Sequence, residues 1–428
     1  MNALPYLEMP THDLQCEKNA LLEKFHDYIA RGLSLNMARG KPAPEQLDLS
    51  LPMLDILHAD ADYLSPSGQD CRNYGGVDGL PEMRRFFADM LGVNPLEVIV
   101  GGNSSLNLMF DAVATGMFCG FGADPWASLQ KVKFLCPCPG YDRHFAVTQF
   151  FGIDMVVVPM SESGPDMDMV EHLVQNDPAV KGIWCVPKYA NPLGVTYCDD
   201  TVRRFAALKP AASDFKIFWD NAYCVHDLTD SPDSLLNLMD ECRKNGNEDL
   251  PILFTSTSKI TFPGAGVAAL AASDNTLRNI RRRLSFQTIG PDKLNQLRHL
   301  RFLKNMDGVK SIMLRHKALL APKFQVVLNA LQQQLAPVGV ARWTCPHGGY
   351  FISVDVTPGC AKRVVELCRQ AGVTLTEAGA TFPYGNDPAD SNIRIAPSFP
   401  CIHELQLAMD VFCIAAKLAA VEKFLAQK

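Results

Sequence analysis

The sequence has no apolar run of the roughly 18 or more residues that crossing a bilayer requires. Its richest stretch, Ala265–Ala272, has the length of a buried strand. It also has no basic excess: 40 Lys+Arg against 46 Asp+Glu leave a net charge of −6, with no basic block. The electrostatic footprint of a nucleic-acid binder is therefore missing. No two cysteines stand in a C-x-x-C pair, and Cys136 and Cys138 lack the paired Cys/His groups of a structural zinc site. The 14 cysteines are diluted through 428 residues and read as free thiols in a reducing compartment rather than as a disulfide framework. The opening MNALPYLEMPTHDLQ has neither the basic start nor the apolar centre of a signal peptide. These absences predict a soluble, cytoplasmic protein with no metal, no membrane and no nucleic acid among its partners.

Hydrophobic residues at 47% and charged residues at 20% are ordinary globular usage. At ~150 residues per domain the length predicts two or three folding units. Seven short apolar runs are separated by helix-length segments: 97–100, 132–136, 155–158, 182–186, 216–219, 252–254 and 265–271. This alternation predicts βαβ units and a mostly parallel seven-stranded sheet, an α/β large domain over 61–320. The flanks differ. A helical stripe of Leu14, Leu21, Leu22, Phe25 and Ile29 opens the chain. Two or three strands (350–354, 373–376, 392–395), a helix near 361–370 and a helix at 403–426 close it. That is an α+β pattern, and it predicts a smaller domain at 321–428, joined by the N-terminal segment 1–60.

Ligands of parallel sheets sit beyond the carboxyl ends of the strands, so the residues after each run carry the chemistry. Gly101-Gly102-Asn103-Ser104-Ser105 precedes a helical pattern and offers free N–H groups to an anion. Tyr141, after Cys138-Pro139-Gly140, can stack on a planar group. Asn191, in Asn191-Pro192-Leu193-Gly194, can donate to a phenolate or a carboxylate. Asp220 ends an apolar run, where a carboxylate is costly unless it faces a cation, and Tyr223 follows it. Ser256-Thr257-Ser258-Lys259 ends in a lysine that burial would turn into an amine nucleophile. Taken singly, these are a capped turn, a packing tyrosine, a tight turn, a helix cap and a surface lysine. Taken together they match pyridoxal 5′-phosphate, which has a phosphate, a flat ring, a phenolic oxygen, a ring nitrogen that needs a proton and an aldehyde that condenses with lysine. A Schiff base would then use Lys259, and the ring nitrogen would face Asp220.

In the same order, Asn-Pro-x-Gly, Asp-x-x-Tyr, Ser-x-Ser-Lys and Arg394 within Asn392-Ile393-Arg394-Ile395 resemble the fold-type I pyridoxal-phosphate aminotransferases, the aspartate aminotransferase superfamily. Asn36–Pro42, Tyr74–Gly79, Ser256–Thr261 and Thr288–Lys293 look most like its MocR-like subgroup Ic aspartate aminotransferases. The resemblance implies a PLP-dependent ping-pong transamination between an amino acid, aspartate, and a 2-oxo acid, 2-oxoglutarate. It implies that Lys259 is the Schiff-base lysine and proton shuttle, that Asp220 pairs with the ring nitrogen, that Asn191 and Tyr223 hold the phenolic oxygen, and that Tyr141 stacks on the ring. It further implies that Asn103, Ser104, Ser105, Ser256 and Ser258 hold the phosphate, that Arg394 clamps the substrate α-carboxylate, that Gly40 lies by the substrate, and that Tyr74 reaches the phosphate of the second subunit of a homodimer.

Two positions depart from the family pattern. Where most members carry a phosphate-binding arginine seven or eight residues after the lysine, this chain has Gly266 and Val267; Lys293 or one of Arg281–Arg283 is the expected replacement. Leu193 stands where threonine is usual and keeps the turn. A distal substrate carboxylate has four candidate partners: Arg39, Lys41, Arg143 and Lys188. A β-lyase or decarboxylase reaction would use the same scaffold. A cofactor-sensing regulator is disfavoured, because only ~35 residues precede the first matching segment, too few for a DNA-binding module.

Overall fold

The computed structural model describes residues 5–428; the first four residues of the predicted N-terminal segment lie outside the described part. All seven apolar runs form strands of one sheet. Its order is Val98–Val100, Ala268–Ala272, Pro251–Ser256, Lys216–Asp220, Val180–Cys185, Lys133–Cys138, Asp154–Ser161 and Gly164–Pro165. The five strands from Pro251–Ser256 to Asp154–Ser161 run parallel, and Ala268–Ala272 is antiparallel to both of its neighbours. The sheet thus has eight strands where the sequence predicts seven. The extra one, Gly164–Pro165, is a hairpin return only two residues long, too short to register as an apolar run.

Successive residues of each central strand serve opposite faces. Leu135, Ile217, Trp219 and Leu253 pack into one hydrophobic cluster with Phe86, Phe87, Val170 and Phe205 from the helices covering that face. Phe134, Phe218, Ile252 and Phe254 pack into another with Leu108, Val113, Phe145 and Ile280. A sheet covered on both faces needs strands that are apolar at every position, which is why these runs show no alternation in sequence.

A third cluster joins the two ends of the chain. Leu14, Leu21 and Phe25 of the helix Thr11–Ala30 pack with residues of the helices Ala361–Gln370 and Ile402–Gln427 and of the strands Ile352–Val356 and Asn392–Ile395. Ile29, predicted on the same stripe, is exposed instead, since the helix ends one residue later. The strand Leu35–Asn36 pairs in parallel with Val373–Thr374, and Ala341–Trp343, which the sequence pattern did not suggest, adds an edge beside Ile352–Val356. The predicted boundary near 320 falls inside the helix Met306–Gln334. The first half of that helix, with Val309, Ile312 and Met313, packs with the sheet. Its second half, with Leu320, Phe324, Val327 and Leu331, packs with the chain ends. All fourteen cysteines are free, and eight of them are buried. Among the described residues no helix is long and apolar enough to cross a membrane.

A buried ion pair ties the strand Val180–Cys185 to the turn that leads into Lys216–Asp220, at the edge opposite the strand ends that carry the chemistry. Asp214 is 1% exposed; one oxygen accepts from Lys181 Nζ at 2.6 Å and the other from Trp126 Nε1 at 2.7 Å. Removing one member of such a pair strands the other as a buried charge, at a cost of about 3–5 kcal/mol. Asp214→Ala should therefore lower unfolding stability in urea by about that amount, whereas an unchanged midpoint would show that Lys181 is solvated in the native state.

Candidate active site

The carboxyl ends of the parallel strands open into a cavity of about 520 Å³. Asp220 closes the strand Lys216–Asp220, every residue of which is buried, and is itself 3% exposed. Its Oδ2 lies 3.1 Å from His144 Nε2, and its Oδ1 is buried without a partner. The ionised carboxylate can only accept, so His144 donates from Nε2. The imidazole is held from behind: it stacks on Trp184 at 4.4 Å and 10°, and Trp184 Nε1 donates to Thr148 Oγ1 at 2.8 Å. His144 is one helical turn before Thr148 on the helix Asp142–Phe150, so one helix sets both the ring and its backing.

Lys259 follows the strand Pro251–Ser256. The turn that carries it is pinned where Thr257 pairs with Val267 through both backbone and hydroxyl. Its Nζ lies 5.1 Å from the ring centre of Tyr223 and 5.7 Å from that of Tyr350. Burial lowers the pKa of this amine, and the Asp220 charge opposes the shift. Burial pushes the Tyr223 hydroxyl well above its ordinary range, helped by Tyr141 and Asp220. It pushes Tyr141 up to about 12, with Asp220 and Asp142 adding to the rise.

The opposite wall comes from the C-terminal part of the chain and the segment before residue 42. Arg394, on the strand Asn392–Ile395, is 6% exposed. Its Nη1 donates to Asp142 Oδ1 at 2.8 Å and to Asn191 Oδ1 at 3.2 Å, and its Nη2 donates to Thr376 Oγ1 at 3.3 Å. The guanidinium lies 4.8 Å from the ring centre of Phe351. That ring in turn fills the space beside Gly40, where an added Cβ would come within 2.5 Å of it. Thr376 Oγ1 also donates to Ala38 O at 2.6 Å, which fastens the N-terminal segment to the same corner.

Ser104 caps the helix Ser105–Phe118, its hydroxyl accepting from Leu106 N at 3.2 Å. Ser256 donates to Ser258 Oγ at 3.0 Å, and Ser258 to Asn103 O at 3.1 Å. This cluster of hydroxyls at a helix N-terminus is suited to an anion. It contains none of the expected replacement cations. Lys293 Nζ donates to Gly75 O at 2.8 Å, Arg281 pairs with Asp78 at 3.0 Å, Arg283 pairs with Asp111, and none of these, nor Arg282, lines the cavity. Gly266 itself is crowded: an added Cβ would sit 3.2 Å from Asn103 O and 3.3 Å from Ser258 N.

Of the residues predicted from sequence, Gly40, Ser104, Ser105, Tyr141, Asn191, Asp220, Tyr223, Ser256, Ser258, Lys259 and Arg394 line this one cavity. Asn103 does not: its amide turns to Gly264 O at 3.4 Å. Tyr74 is 80% exposed and away from its own chain's cavity. Arg39, Lys41 and Arg143 line the cavity, but Lys188 is held outside it by Asp227 at 2.9 Å. His144, Asp142, Thr376 and Phe351 were not predicted. For His144 a signal existed, a histidine one turn after Tyr141 on the following helix; for Thr376 and Phe351 there was none.

Comparison with known proteins gives the same outline. A family model described as aspartate amino-transferase matches residues 9–428. The aspartate aminotransferase of Corynebacterium glutamicum is 45% identical over 94% of this chain and 93% of that protein. A crystal structure of an aspartate transaminase from C. glutamicum superposes with a TM-score of 0.95 at 43% identity, covering 99% of this chain and 100% of that one. An α-aminoadipate aminotransferase from Thermus thermophilus, crystallised with N-(5′-phosphopyridoxyl)-L-leucine, superposes with a TM-score of 0.73 at 21% identity over 94% of this chain and 96% of that one, and so shares the fold.

His144→Phe would keep the stack on Trp184 while leaving both oxygens of a buried carboxylate without a donor. An unsatisfied buried acceptor costs about 1–3 kcal/mol and more when charged. Urea unfolding of the protein without added ligands should show at least that loss, and a stability equal to wild type would mean that Asp220 finds another donor.

Proposed function

The chain belongs to the aspartate aminotransferase family and is an aminotransferase; from that premise we propose that it uses pyridoxal 5′-phosphate and moves an amino group between aspartate and 2-oxoglutarate in two alternating half-reactions. The observation that carries this reading is Asp220 Oδ1, a carboxylate oxygen buried without a partner on the wall that also bears Lys259. Such an atom is costly unless a ligand supplies a proton donor. The rest of the donor set fits the same cofactor: a hydroxyl cluster at a helix N-terminus for a phosphate, Tyr141 for a flat ring, and Asn191 and Tyr223 for a phenolic oxygen. When bound, the cofactor supplies an aldehyde that condenses with amines and a ring that takes up the charge left when Cα loses its proton.

The residues of the chain then divide the work. Asp220, oriented by His144, holds the proton on the ring nitrogen. Asn191 gives its Oδ1 to Arg394, which leaves its amide N–H groups to donate. Lys259 has more of its neutral form than an exposed lysine because burial disfavours the ammonium. It takes the proton from Cα of the substrate and delivers it to the neighbouring carbon, a short transfer suited to one flexible amine. Arg394 anchors the α-carboxylate, with Gly40 close by. Ser104, Ser105, Ser256 and Ser258 hold the phosphate, and Asn103 joins them only if its amide turns from Gly264.

Aspartate is supported by the C. glutamicum relatives and by Arg39, Lys41 and Arg143 at the cavity, any of which offers a charge to a distal carboxylate. We also propose that the enzyme works in the cytoplasm as a homodimer of two-domain subunits, with 61–320 as the large domain and 1–60 with 321–428 as the small one. Exposed Tyr74 lies beside the segment 290–294, a surface that a second subunit would cover, and there Tyr74 would reach the partner's phosphate.

An amino-donor panel with 2-oxoglutarate tests the substrate: aspartate should give glutamate and oxaloacetate, and release of carbon dioxide or ammonia instead would reassign the reaction. Lys259→Ala should lose roughly 10²–10⁴-fold or more in turnover, together with the visible absorbance that borohydride bleaches in the native enzyme; near-normal transamination by this variant would end the assignment.

A further inference from the structure

Asp142 is an acid in an unexpected place. It is the first residue of the helix Asp142–Phe150, it lines the cavity, and its Oδ1 is 2.8 Å from Arg394 Nη1, the group that on the reading above anchors the substrate's carboxylate. The donor inventory of Arg394 shows what this contact means. A guanidinium has one hydrogen on Nε and two on each terminal nitrogen, and it grips a carboxylate through two neighbouring nitrogens at once. Nη1 already spends both hydrogens, on Asp142 and on Asn191 at 3.2 Å, and Nη2 spends one on Thr376 at 3.3 Å. Nε is sealed from solvent and has no partner. A carboxylate on the Nη1–Nη2 edge can dock only if Asp142 or Asn191 gives way, and one on the Nε–Nη2 edge would share the single charge of the guanidinium with Asp142. Asn191 is 4% exposed, whereas the Asp142 side chain is 33% exposed and has water to swing into.

We propose that Asp142 is a built-in competitor for Arg394, whose hold on the guanidinium the substrate's α-carboxylate must displace or weaken. The inference rests on Arg394 as the carboxylate anchor. Its consequence is a threshold for entry. A full negative charge can replace Asp142 on equal terms, whereas an amide or a hydroxyl cannot, so Asp142 makes Arg394 selective for anions instead of for any hydrogen-bond acceptor.

The alternative, that Asp142 is a fixed brace that orients Arg394, predicts the opposite sign. The test uses the cofactor-loaded enzyme and measures KM for aspartate and for 2-oxoglutarate, with calorimetric binding of succinate as an unreactive dicarboxylate. Asp142→Asn should lower each KM roughly fivefold, the scale of a partly exposed ion pair, tighten succinate to a similar extent, and leave the change in KM rather than in kcat. Asp142→Glu, which restores a carboxylate, should return values towards wild type. Glu377→Gln removes an acid from the same cavity wall without touching Arg394 and should have a smaller effect. A raised or unchanged KM in Asp142→Asn overturns the proposal, as does an equal fall in Glu377→Gln. Arg394→Ala separates the two levels: if it leaves KM unchanged, the anchor assignment fails and this proposal with it, while a large KM increase there beside a wrong sign in Asp142→Asn overturns the competitor alone.

Discussion

A carboxylate sealed at the end of a β-strand is the constraint from which the rest of the site follows. Asp220 cannot be left alone in a wall of apolar strands, and the chain answers only half of it. His144 serves one oxygen. To do so it must stand upright against Trp184, which is itself tied to Thr148 on the helix that carries His144. That helix begins at Asp142, whose contact with Arg394 reaches the other wall of the cavity. The position of the far arginine is thus linked, through one helix, to the need of one buried acid.

The charges around the cavity also set one another's behaviour. Burial drives the Lys259 amine towards its neutral form, and Asp220 restrains the shift. Tyr141 and Tyr223 are held protonated by the same burial. On the far wall Arg394 lies beside an aromatic ring, a carboxylate and two neutral acceptors. One cavity thus holds an acid, an amine and a guanidinium together, a concentration of ionisable groups that marks functional sites.

Most of this was legible in the residue order because the strand-end rule converts sequence position into spatial position. Lys259, Asp220, Asn191 and Tyr141 each follow a strong apolar run, and each run became a strand. What escaped was whatever depends on side-chain direction or on contacts far along the chain. Asn103 stands in the right loop but turns its amide to Gly264. Lys188 follows the right strand, yet Asp227, thirty-nine positions on, holds it away from the cavity. Phe351 and Thr376 lie within the predicted strands 350–354 and 373–376 of the flanking α+β part, where the strand-end rule for parallel sheets does not apply, so nothing marked them. The expected substitute for the missing arginine failed for a similar reason: Lys293, Arg281 and Arg283 already have partners in the fold, and a count of cations in a sequence says nothing of which are spent.

The strand Leu35–Asn36 pairs with Val373–Thr374, and Thr376 bonds to Ala38, 338 positions earlier. This seam has a meaning for biosynthesis. At about 5–20 residues per second, the partner of the first strand emerges roughly 17–70 s after it. The large sheet can assemble in that interval, but one wall of the cavity cannot. The strands that lead to Asp220 and Lys259 therefore emerge well before Arg394, on Asn392–Ile395, can reach the cavity.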